Sequence, residues 1–128
     1  MRIVLADREA DLMAVLWAHG ASTVAEVRSR LKVRLAYNTV LSILRTLEAK
    51  GYVGHEQQGR AFRYVARLAP EDARRSALRH LAGKLFNGSV ALLLTSAVAD
   101  RKLTQAEIVR IRELLDERCG DKGPARKS

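Results

Sequence analysis

A chain of 128 residues, 48% of them apolar, holds one domain or a small domain with an oligomerisation appendage. Its 23 Lys and Arg against 14 Asp and Glu leave a formal charge of +9, which favours a polyanionic partner, nucleic acid first among them. The single cysteine, Cys119, excludes an intrachain disulfide, and the most apolar run, around Val90 to Leu94, is about half the length that spans a bilayer. The excess charge is spread along the chain, +5 over residues 1–67 and +4 over residues 68–128, so it does not locate a site. The N-terminus lacks the apolar stretch and cleavage site of a signal peptide, and a cytoplasmic protein with no membrane insertion is expected.

Leu12, Val15 and Leu16 recur at helical spacing between Asp7 and His19, and Gly20 supplies a stop. Thr23-Val24-Ala25-Glu26 is a capping box opening a second helix to about Lys32, with Val24, Val27 and Leu31 inward. A third helix, from Tyr37 to about Lys50, gathers Val40, Ile43, Leu44 and Leu47 within an arc of about 100°. Its opposite side carries Asn38, Thr39, Ser42, Arg45, Thr46 and Ala49, with Glu48 on the flank. A solvated face ordinarily mixes Lys and Glu; a hydrogen-bonding face without a carboxylate suits the DNA major groove. Two strands, Tyr52 to Gln57 and Arg60 to Ala66 around Gln58-Gly59, complete a winged helix-turn-helix.

Pro70, Glu71 and Asp72 start a fourth helix to about Leu85, and Asn87-Gly88 breaks it. A fifth helix covers Ser89 to Ala99. Thr104-Gln105-Ala106-Glu107 caps a sixth with Ile108, Ile111, Leu114 and Leu115 inward. The expected organisation is therefore mainly α: a winged helix-turn-helix over 1–67, a helical dimerisation region over 68–118 and a disordered basic tail over 119–128. Leu78, Leu81, Leu85, Leu92, Leu93, Ile108, Ile111 and Leu115 are the expected dimerisation residues, the alternative being a private three-helix core.

Four stretches resemble the BlaI/MecI/CopY group of penicillinase, methicillin-resistance and copper-responsive repressors. They are Glu9 with Leu12-Met13-Ala14-Val15-Leu16-Trp17, Ala36-Tyr37-Asn38-Thr39-Val40 on to Lys50-Gly51, the wing Gly59-Arg60-Ala61-Phe62-Arg63-Tyr64, and Leu103-Thr104-Gln105-Ala106-Glu107-Ile108 with Leu114-Leu115. The resemblance implies a homodimer repressing resistance or stress genes from a palindromic operator, with base contacts from Asn38, Thr39 and Ser42. It also implies an inactivating membrane sensor protease as a partner, although Ser96-Ala97 stands where that group's Asn-Phe pair falls. Arg45-Thr46 departs from the commoner pattern, which has arginine at the second of these positions. Paired Cys-x-Cys motifs hold metal in the copper-responsive branch; Cys119 alone cannot, so neither metal nor cofactor is expected.

The expected DNA interface adds Arg45 to the base contacts and assigns Tyr37, Thr46, Lys50, Arg60, Arg63, Arg28 and Lys32 to the phosphate backbone. Two other classes compete. An enzyme is disfavoured, because His19, His55 and His80 are scattered and no nucleophile elbow or phosphate loop occurs. A winged-helix protein-interaction module without DNA binding would need an apolar or acidic third-helix face.

Overall fold

The computed structural model describes residues 3–100 and 103–122, with side chains described as far as residue 118. Six helices and one two-stranded antiparallel sheet follow in the order α1 (Asp7–His19), α2 (Val24–Arg30), α3 (Tyr37–Ala49), β1 (Val53–Gln58), β2 (Ala61–Ala66), α4 (Pro70–Leu85), α5 (Val90–Ala99) and α6 (Gln105–Lys122). The chain divides into two compact units, Met1–His80 and Leu81–Ser128.

The first unit encloses the core. Leu12, Met13 and Leu16 of α1, Val24 and Val27 of α2, and Val40, Leu44 and Leu47 of α3 are buried together with Tyr52, Val53 and Tyr64. The apolar arcs read from helical spacing thus meet one another, and burial of each such side chain stabilises the unit by about 1.5–3 kcal/mol before entropy is set against it. Helix ends follow local chemistry. Gly20 closes α1 at φ +78°, its amide donating to the Leu16 carbonyl at 2.9 Å. At α2 the Thr23 hydroxyl accepts from the Glu26 amide at 3.1 Å while Glu26 accepts from the Thr23 amide at 2.9 Å. The wing turn is Gly59-Arg60 rather than Gln58-Gly59, since Gln58 pairs with Ala61. The positive φ falls on Gly59, the first central turn position, as a tight hairpin requires.

Two features extend this unit past simple periodicity. Ser22 forms an isolated bridge to Tyr64, each amide donating to the other's carbonyl. The greater part of α4, as far as His80, also belongs here, so the unit runs beyond residue 67: Ala73 is buried, and the Ile3 amide donates to the Ser76 hydroxyl, which donates back to the Ile3 carbonyl.

The second unit contains the end of α4, α5 and α6. Asn87 and Gly88 both take positive φ where α4 stops, and the Ser89 hydroxyl caps α5 by accepting from the Leu92 amide. Among the described residues its only buried apolar side chain is Ala82. Leu93, Ile108 and Ile111 are half-buried, whereas Leu81, Leu85, Leu92, Leu94, Leu114 and Leu115 are exposed. A private core is therefore not formed, and Leu114 and Leu115 do not point inward within this unit. α6 continues through residues 119–122, where a disordered tail was expected; residues 123–128 and the Cys119 side chain lie outside the described residues. Among the described residues no single helix is long and apolar enough to cross a membrane.

Candidate nucleic-acid interface

α3 is held by its buried stripe, Val40, Leu44 and Leu47, which leaves the opposite side outside. Tyr37, Asn38, Thr39, Ser42, Arg45, Thr46 and Ala49 are all exposed. No side chain caps the helix start, and the first amide with an internal partner there is that of Val40, which donates to the Ala36 carbonyl. The flanking carboxylate is turned away from this ridge: Glu48 Oε2 lies 2.6 Å from His55 Nδ1 on β1. His55 in turn lies against Phe62, ring centres 4.7 Å apart, so the wing is fastened to α3 by a side-chain pair that neither strand periodicity nor spacing announces. Burial raises the Tyr64 phenol above its ordinary range, and the nearby Glu48 charge adds to it. Tyr64 therefore stays a neutral core group beneath the ridge.

The expected phosphate contacts differ in their surroundings. Arg60 at the wing tip and Lys32 after α2 are exposed and, among the described residues, make no ion pair. Arg28 is exposed but donates through Nε to the Leu35 carbonyl at 2.8 Å, which fixes the turn leading into α3. Three others are committed elsewhere. Lys50 Nζ lies 2.7 Å from Glu9 Oε1 and donates to the Val4 carbonyl at 3.3 Å. Arg63 donates to the Ala21 carbonyl at 2.9 Å and to Glu26 Oε1 at 3.2 Å. The Thr46 hydroxyl donates to the Ser42 carbonyl at 3.1 Å, leaving only acceptor capacity toward a phosphate that itself only accepts. Lys50, Arg63 and Thr46 thus have partners within the subunit and serve there as structural ties.

The ties have electrostatic consequences. Burial pushes the Glu9 carboxyl up, but the Lys50 ammonium and the Ala6 amide outweigh it and hold it below the ordinary carboxylate range. The Thr23 amide, with the Arg63 and Arg30 charges, likewise holds Glu26 low. Sequence reading missed both pairs. Glu9 and Glu26 sit three residues after the N-cap residues Ala6 and Thr23, which signals a cap, but nothing local signals the distant cation each also receives.

A profile of the penicillinase repressor family matches residues 5–117. The chain belongs to that family. As a member it stands among DNA-binding transcriptional repressors and not among enzymes. The penicillinase repressor of Bacillus licheniformis is 24% identical over 115 residues, covering 88% of this chain and 90% of its own. A solved structure of Bacillus licheniformis BlaI, in its monomeric form with the blaP half-operator, is 27% identical over 56% of this chain and 90% of that one, with a TM-score of 0.49. A MarR family protein from Bacillus stearothermophilus covers 93% of this chain and 76% of its own at 16% identity and a TM-score of 0.51, which shows likeness of fold.

Proposed function

We propose that this repressor acts in the cytoplasm as a homodimer on a palindromic operator, each subunit laying α3 in a major groove. The observation that supports this most is the carboxylate-free, exposed ridge of α3, with Glu48 drawn aside by His55. Asn38, Thr39, Ser42 and Arg45 read base edges: an amide for adenine, hydroxyls that donate or accept, and a guanidinium for guanine. Tyr37, Lys32, Arg28 and Arg60 contact phosphates, joined by the uncapped amides at the start of α3. An apolar or acidic face, which a protein-docking module would need, is not what α3 presents. Dimerisation is supported by the second unit, whose exposed leucines have no core of their own to enter. Two half-sites about 34 Å apart then combine their contacts on one side of the duplex. Inactivation by a sensor protease does not enter this reading, because Ser96-Ala97 replaces the cleavage pair.

The test is selection of binding sites from a random duplex library by the full chain, followed by anisotropy titrations in rising salt. An inverted repeat is expected, with log affinity falling against log salt at a slope near −5 if about six phosphates are neutralised. No enrichment, or a flat salt response, overturns the proposal.

A further inference from the structure

A half-open cleft of about 1050 Å³ lies in the first unit, and none of the residues assigned to DNA lines it. Ile3, Leu5, Tyr52, Leu68 and Ala73 give it apolar walls, while Arg67, Arg75 and Arg79 stand around them. The acidic side chain on the wall, Asp72, is already paired with Arg75 at 3.1 Å. Arg67 and Arg79 make no ion pair among the described residues, so the cleft keeps uncompensated positive charge beside apolar surface. Arg67 is also seated: its guanidinium occupies the space a Cβ on Gly54 would need, so a glycine in β1 is what admits it. Small-molecule sites are about 300–1,000 Å³, mostly apolar, with a few placed polar groups.

We propose that this cleft binds a small amphipathic organic anion, an aromatic or branched carboxylate or sulfonate of one or two rings, as the effector of the repressor. The ring lies against Ile3, Tyr52 and Leu68, and Arg67 and Arg79 take the anionic head. The same wall carries a route to the DNA-binding surface. The Val4 amide donates to the Tyr52 hydroxyl at 3.1 Å, the Val4 carbonyl accepts from Lys50 at the end of α3, and Ile3 is tied to Ser76 of α4. A ligand that shifts residues 3–5 acts on both α3 and α4, which couples occupancy to operator affinity. This coupling rests on the DNA-binding reading; the site itself does not.

The experiment titrates the full chain with 8-anilino-1-naphthalenesulfonate and with its neutral counterpart N-phenyl-1-naphthylamine. Wild type is compared with the Arg67→Gln/Arg79→Gln variant and with a charge-matched control, Lys84→Gln/Arg112→Gln. Saturable binding of one sulfonate per chain is expected, weakened about tenfold or more in the cleft variant. The control should change by no more than about twofold, and the neutral probe should bind both variants alike. Equal sulfonate affinity in the cleft variant, or an equal loss in the control, overturns the site. Operator binding is followed in the same samples. Chain that binds operator but no probe refutes the cleft alone; chain that binds the probe in the expected pattern but no operator refutes the DNA reading and leaves the site standing. Saturating sulfonate that leaves operator affinity unchanged overturns the effector role.

Discussion

The two units use the same local vocabulary to different ends. Each contains a threonine–glutamate capping box of identical geometry, 2.9 and 3.1 Å at Thr23–Glu26 and again at Thr104–Glu107. Each is rich in leucine. The first unit buries Leu12, Leu16, Leu44 and Leu47 to 2% exposure or less, while the second leaves Leu85 74% and Leu115 58% exposed. Helix formation is thus settled locally in both, but only the first unit has elements packed on enough sides to close a core. The second has well-made helices whose apolar faces remain exposed, and a second copy of the chain is the surface proposed for them.

The largest effect should come from attacking that surface. Leu85→Glu with Leu115→Glu should give a monomer in sedimentation at micromolar concentration and weaken operator binding about a hundredfold or more, since one half-site is lost. A variant that remains dimeric breaks the contrast between the units. Next, Leu44→Ala in the closed core should cost about 3 kcal/mol and lower the thermal midpoint at every protein concentration. The wild-type midpoint should itself rise with concentration, as expected when association stabilises the fold; a midpoint independent of concentration would argue for a self-sufficient second unit.

A smaller loss is expected at the part-buried tie between α1 and the end of α3. Lys50→Met should cost about 1–2 kcal/mol, because the Glu9 carboxylate keeps its burial and loses its cation. Its pH dependence has a defined sign. Glu9 is held below its ordinary value in the folded protein, so its contribution is complete above the carboxylate range and disappears as pH falls through it. In Lys50→Met the carboxyl resonance should titrate at higher pH than in wild type, and part of the acid-side loss of stability should vanish from denaturant melts. Smallest, Thr23→Ala and Thr104→Ala should each cost about 1 kcal/mol. The two should lose similar helix content, and only the loss at Thr104 should change in size with protein concentration.

Most of the fold was legible in the residues because its signals are local. Leu12, Val15 and Leu16 mark α1, Gly20 and Gly51 mark stops, Pro70 a start, and Asn87-Gly88 a break. The exposed ridge of α3 was legible for the same reason: a 3.6-residue period reports which side chains share a face. The hairpin was displaced by one residue because two adjacent polar positions offer the glycine either turn slot, and only pairing of Gln58 with Ala61 settles which.

What the linear order cannot convey is which side chains meet across the chain. Lys50 reaches Glu9 over 41 residues and Arg63 reaches Glu26 over 37, and these pairings give each carboxylate a distant cation. The Ser22–Tyr64 bridge and the α4 turn that packs on residues 3–5 are of the same kind. Sequence by itself determined the helices, their caps, the wing and the exposed polar ridge of α3, since each depends on neighbours within a turn or a hairpin. Tertiary structure alone decided which arginines and lysines stay free, where the first unit ends and which leucines remain uncovered, because those outcomes depend on surfaces brought together only by folding.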